Sequence, residues 1–150
     1  MITNERQYRI TKSQITNLIK SAKSFTLEDT AKSVGSYSLA KIELEALKSE
    51  IDVLSEQLFD YEALKLGTVN VFKANSLQEL PMILIQARIA QGLTQRQLAN
   101  KLELKEQQIQ RYESEVYASA NIRRLAEVAN ILNLKIAGRG KLKKVVRDIK

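Results

Sequence analysis

The stretch QRQLANKLELKEQQIQRYES, residues 95–114, decides the fold. Small or apolar residues fall at Leu98, Ala99, Leu102, Leu104, Ile109 and Tyr112, the set that two short helices need to pack across a turn of about three residues. Ala99 sits where the helices are expected to cross. A larger side chain there would push the second helix away, and Ile109 supplies the opposing knob. Lys105, Glu106, Gln107, Gln108, Gln110 and Arg111 occupy the start and outer side of the second helix. Gln pairs a donor with an acceptor and Arg presents a fork of donors, both of which match base edges in the major groove, whereas a merely solvated helix favours Glu and Lys pairs.

The flanking sequence extends this unit. Ser76 and Glu79 are spaced as a capping box with Pro81 in the first turns, which predicts a helix through about Ala90, closed by Gly92. Thr94 caps the next helix with Gln97 at the reciprocal position, leaving Gln95 where backbone N–H groups can take a phosphate oxygen. The spacing predicts the second helix over 105–114. Ile122, Leu125, Val128, Ala129 and Leu132 recur at helical spacing and predict a closing helix over 121–134, with Arg123 and Arg124 near its start, available for phosphate or solvated.

Gly92-Leu93-Thr94-Gln95, then Leu98-Ala99, Ile109 and Tyr112-Glu113 resemble the Xre and phage-repressor family of helix-turn-helix domains, over roughly residues 80 to 134. The family places Gly in the turn for a left-handed backbone; this chain has Glu103, at a cost of about 1 kcal/mol. The loop 115–120 also lacks the Gly and Pro that the family often carries. Matched position to position, the resemblance implies DNA contacts from Thr94, Gln95 and Arg96 at the first motif helix. It implies base-edge roles for Glu106, Gln107 and Arg111 and phosphate roles for Lys105 and Gln108. The residues themselves agree for Arg111, whose fork fits guanine, and for Gln107, which fits adenine. For Glu106 two readings stay open: accepting from cytosine N4, or repelling phosphate and orienting Gln95 or Lys105.

The amino-terminal half is read from periodicity. Thr11 with Gln14 is spaced as a capping box ahead of Ile15, Leu18, Ile19, Ala22 and Phe25, predicting a helix over 11–25. Residues 26–36 read as a connecting loop, with a partly helical form left open. Tyr37, Ala40, Leu44, Leu47, Ile51, Leu54, Leu58 and Tyr61 alternate three and four apart, a heptad seam on a helix over 37–66 that Gly67 ends. Glu43 and Glu50 at g with Lys41 and Lys48 at e would let two such helices pair as a parallel dimer. A fold-back hairpin on the first helix would bury the same stripe, and both readings stay open. Residues 43–62 hold seven acidic side chains and one Lys, either a solvated face or a surface for a basic partner. Residues 68–72 alternate like a short strand, whose partner would come from residues 135–142 or another subunit, or else they form an extended linker.

Composition bounds the function. The 150 residues include one Pro, five Gly and no Trp, with helix formers dominating. There is no Cys and no His, which removes disulfides, thiolate and imidazole metal sites and Ser-His or Cys-His catalysis. No nucleophile, metal cluster or glycine-rich phosphate loop stands out, so no enzyme, cofactor or metal site is expected. No segment resembles a signal peptide or a membrane span, so a cytoplasmic location is expected by default. The net charge of +7 is uneven: residues 1–66 hold nine basic and ten acidic side chains, residues 67–134 eight and six, and residues 135–150 seven and one. The excess points to a polyanion partner for the carboxy-terminal half. The tail reads either as a basic arm along phosphates, as a strand over 134–137, or as an amphipathic helix over 142–149 packed on the protein.

The expected architecture is mostly α. A helical dimerisation or interaction region over 1–66 and a linker or short strand over 67–75 precede a helix-turn-helix domain over 76–134 and a basic tail over 135–150, with one strand pair allowed. The expected partners are double-stranded operator DNA and a second copy, since one small module buries too little surface for useful specificity. A second, weaker resemblance, to HigA-type antitoxins, rests on Asn4-Glu5-Arg6-Gln7-Tyr8-Arg9-Ile10-Thr11-Lys12 and on the acidic helix ending Tyr61-Glu62-Ala63-Leu64-Lys65-Leu66-Gly67. It implies a regulator that represses its own operon and neutralises a co-expressed RNA-cleaving toxin. The alternatives are a prophage-type or general repressor without a toxin partner, or a coiled-coil scaffold protein.

Overall fold

The computed structural model describes residues 1–24 and 26–138, and among them it is all helical, with no strand. The helices are α1 (Glu5–Ser24), α2 (Leu27–Val34), α3 (Tyr37–Lys65), α4 (Leu80–Ala90), α5 (Gln95–Lys101), α6 (Glu106–Ser114) and α7 (Ile122–Ile131). A single 3-10 turn, Leu77–Glu79, leads into α4.

Helix α4 is the centre. Its sequence LPMILIQARIA is apolar nearly all round, as a helix covered on every side must be. Leu84 and Ile85 are at most 1% exposed, and Leu98, Ala99, Ile109, Val128 and Leu132 close the same core from α5, α6 and the α7 end. Each fully buried Leu or Ile contributes roughly 1.5–3 kcal/mol by leaving water. The same core takes in Ile2, Tyr61 and Leu64. The end of α3 and the first residues of the chain are therefore part of the core beneath the motif.

One buried ion pair ties these parts together. Arg88 of α4 is 3% exposed, and its Nε and Nη2 donate to Glu113 of α6 at 2.5 and 2.7 Å. Its remaining donors reach the carbonyls of Leu93 and Thr3, both at 2.6 Å, and Gln95 Nε2 donates to Glu113 Oε2 at 2.9 Å. Each carboxylate oxygen and all three guanidinium nitrogens are thus partnered, the condition under which a buried pair offsets its desolvation.

Helix α3 carries the expected seam, and the chain itself covers it except at Tyr37, which is 60% exposed. Ala40 and Tyr61 are buried, Leu44, Leu47, Ile51, Leu54 and Leu58 are half-buried, and α1 and α2 pack along α3. Glu5 at the start of α1 meets Lys65 at the end of α3 at 2.7 Å, and Tyr8 stacks on Tyr61 with ring centroids 5.3 Å apart. Those contacts make α1 and α3 antiparallel, which is the hairpin reading. Tyr8 also donates its hydroxyl to Glu62 at 2.5 Å. The Lys65 hydrogen bond holds the Glu5 carboxyl below its usual range, and burial pushes the Tyr61 phenol up.

Several local expectations are corrected. Helix α1 begins at Glu5, capped by the Asn4 side chain accepting from the Gln7 N–H at 2.9 Å, so Thr11 and Gln14 lie inside it and cap nothing. The expected loop over 26–36 is largely helix α2, because Thr26 accepts from the Asp29 N–H and Gly35, at φ 74°, closes the far end. Residues 68–72 lie in no helix and pair with no strand among the described residues, which leaves the linker reading of this stretch. Val69 and Phe72 pack on the core while Val71 lies 71% exposed, so the β-branched alternation has no sheet to serve. At the entry to α4, Ser76 makes no side-chain cap; Glu79 instead accepts from the Asn75 N–H at 2.9 Å. Residues 134–138 likewise form neither helix nor strand, while the tail helix expected over 142–149 lies outside the described residues.

Removing half of the buried pair leaves an uncompensated charge in the core. Glu113→Ala is expected to lower stability by about 3–5 kcal/mol in urea denaturation. Replacing both partners, Arg88→Met with Glu113→Leu, should recover part of that loss.

Candidate nucleic-acid interface

The motif is built as its spacing demands. The Thr94 hydroxyl accepts from the Gln97 N–H at 3.1 Å and Gln97 Oε1 accepts from the Thr94 N–H at 2.8 Å, a complete capping box that starts α5. Ala99 is 0% exposed at the crossing with α6, where Ile109 is also 0% exposed. Glu103 takes the turn at φ 55°, so the left-handed conformation is kept without glycine. Helix α6 then starts at Glu106, with the Gln108 side chain accepting from the Lys105 N–H at 3.1 Å.

The eight candidate residues divide by environment. Gln107 and Arg111 are exposed, one turn apart on the outer face of α6, and the Arg111 guanidinium lies over the Tyr112 ring at 6.0 Å. Lys105 and Gln108 are exposed at the α6 start, although the Gln108 carbonyl oxygen already serves the helix terminus. Arg96 and Glu106 meet at 2.8 Å, joining the starts of α5 and α6, and this hydrogen bond pushes the Arg96 guanidinium further up. Glu106 also accepts from Gln110 at 3.3 Å. Its carboxylate therefore orients Arg96, not the Gln95 or Lys105 expected from the sequence.

Gln95 differs most from its expected setting. Its side chain is 8% exposed and turned inward to Glu113, so only its backbone is placed to meet a phosphate. The N–H groups of Gln95 and Arg96 fall in the first turn of α5, beyond the helix's own ladder. Of the arginines at α7, Arg124 pairs with Glu127 at 2.6 Å, while Arg123 is exposed.

Sequence reasoning missed Arg88 and its pairing with Glu113. The available signal was a lone Arg inside the otherwise apolar run of α4, a charge that had to find a partner once that helix was buried. Also missed was the way the loop after α6 manages without glycine. Val116 and Tyr117 take φ 49° and 56° in succession. Tyr117 is 2% exposed and stacks on Tyr112 at 5.6 Å, and burial pushes its phenol up.

The left-handed conformation of a β-branched residue is costly, and glycine relieves it. Val116→Gly is expected to raise stability by about 0.5–1 kcal/mol after the extra unfolded-state entropy is counted, measured by thermal melting.

Comparison with known proteins agrees with this geometry. Residues 84–138 match the helix-turn-helix family model, the span holding most of α4 together with α5, α6 and α7. No curated protein and no solved structure matched the chain. Among the described residues, no helix is long and apolar enough to cross a membrane. The carboxy-terminal part of this chain is a helix-turn-helix domain of the Xre, phage-repressor type, the DNA-binding module of transcriptional regulators.

Proposed function

We propose that the chain is a sequence-specific repressor of its own operon and the antitoxin of a toxin–antitoxin pair. The observation that carries the DNA half is the outward line of Gln107 and Arg111 on a helix whose inner face is fixed by Ile109 and Glu113. In this reading α6 enters the major groove, where Arg111 reads guanine and Gln107 adenine. The backbone at Gln95, with Thr94, Lys105 and Gln108, holds phosphates. Arg96 is a phosphate contact steadied by Glu106, whose carboxylate moderates the charge at the groove entrance.

A dimer on two half-sites about one helical turn apart supplies the affinity that one module lacks. The region 1–66 serves protein contacts and the region 76–134 serves DNA. The toxin half of the reading is supported by the acidic side chains of α3, which stand exposed from Glu43 to Glu62. They suit a basic partner.

The test is a mobility-shift assay on the chain's own promoter fragment at two salt concentrations. Wild-type protein should bind specifically and lose affinity steeply with salt. Arg111→Ala and Gln107→Ala should each lose about 1–3 kcal/mol of discrimination while keeping residual non-specific binding. No preference for the promoter over random DNA would overturn the operator reading. A second assay co-expresses the chain with the product of the adjacent gene; absence of co-purification would overturn the antitoxin reading.

A further inference from the structure

Helix α3 has a second stripe that the chain leaves uncovered. Leu39, Ile42, Ala46, Ser49 and Val53 recur three and four apart, so they form one line along the helix. All five are exposed, with Leu39 and Val53 at 51% and Ile42 at 60%, on a helix whose other stripe is already covered by α1 and α2. The line is about 21 Å long, close to four helical turns. Its middle residues are small, which lets another backbone approach closely.

The charges around the line are of one sign. Glu43 and Glu50 follow it on one side, Glu45 and Asp52 on the other, and it runs into Glu56 and Asp60 at its lower end. Lys41 pairs with Glu45 at 4.0 Å, and Lys48 projects to the far side of the helix. Glu43, Glu50, Asp52, Glu56 and Asp60 pair with no cation among the described residues.

We infer that this stripe docks one amphipathic helix of a partner protein whose apolar ridge is bordered by Lys and Arg. The inference rests on the reading that the chain has a protein partner, and it names the face and the chemistry of that contact. The apolar line supplies buried area, and the acidic rows supply selection and orientation. A second copy fits poorly on the same face. Its acidic rows would oppose these ones, and like-charge juxtaposition disfavours the pairing.

The test uses the full chain and a labelled synthetic Leu–Lys amphipathic helical peptide, followed by fluorescence anisotropy, with a Leu–Glu peptide as control. The wild type should bind the Leu–Lys peptide and not the control. The exposed double variants Ile42→Ser with Val53→Ser, and Glu50→Lys with Asp52→Lys, should each weaken binding at least about tenfold with promoter binding unchanged. Undiminished peptide binding in either variant overturns the proposal. So does sedimentation showing that the Ser double variant turns a dimer into monomers, which would give the face to a second copy. Co-purification with the adjacent gene product separates the two readings: if that product binds and is retained by the Ser double variant, the face is wrong and the antitoxin reading stands. If that product never binds while the peptide pattern holds, the antitoxin reading falls and the docking face stands.

Discussion

The structure depends on one charge that has to be buried. Arg88 lies in the last turn of the helix that every neighbouring element covers, and an unpaired guanidinium there would cost more than the core could return. The fold answers with four acceptors from three places: both oxygens of Glu113, the carbonyl of Leu93 before the motif, and the carbonyl of Thr3 at the start of the chain. This one side chain therefore fixes the recognition helix, the entry to α5 and the amino terminus relative to α4. Gln95 completes the arrangement by donating to the same carboxylate, so a residue in the first turn of α5 is also part of the motif's foundation.

That arrangement explains the division of labour on α6. Ile109 and Glu113, one turn apart, are held inside by packing and by charge, and the helix cannot rotate without breaking both. Gln107 and Arg111 consequently keep a defined outward direction. Preorganisation of this kind lowers the ordering cost of any contact they make. The Arg96–Glu106 pair does similar work at the surface, although exposed pairs contribute little stability and its value is geometric.

Much of this was legible in the sequence where a residue's role is local. The capping box at Thr94 and Gln97, the small residue at Ala99 and the seam of α3 follow from spacing and side-chain size, while the left-handed Glu103 follows from the family resemblance. The rest was hidden because it is non-local or ambiguous. Thr11 and Gln14 have the form of a cap, yet Asn4 provides one earlier, and a helix once nucleated runs through a second signal. The stretch 68–72 has strand composition, but composition cannot supply the neighbour a strand needs. Arg88 could be seen to be unusual, whereas its partners, 25 and 85 residues away, could not.

The shared core also bears on how two binding events could coexist. Tyr61 and Leu64, at the end of α3, enter the core beneath the motif, while the uncovered stripe begins at Leu39 and stops at Val53. Eight residues of helix separate Val53 from Tyr61, about 12 Å of rise, so a helix seated on the stripe would leave the outer face of α6 open. The same helix would still be mechanically continuous with that core, since α3 reaches Ile2 and the α4 residues through Tyr61 and Leu64. A partner could then alter DNA affinity only by binding one arrangement of that core better than another, because a ligand indifferent to the two shifts nothing. In this arrangement the Arg88 donors are satisfied and the core is closed. On the proposed reading, a partner seated on α3 that favours this same arrangement would act on DNA binding by joining or spacing the reading heads, not by reshaping them.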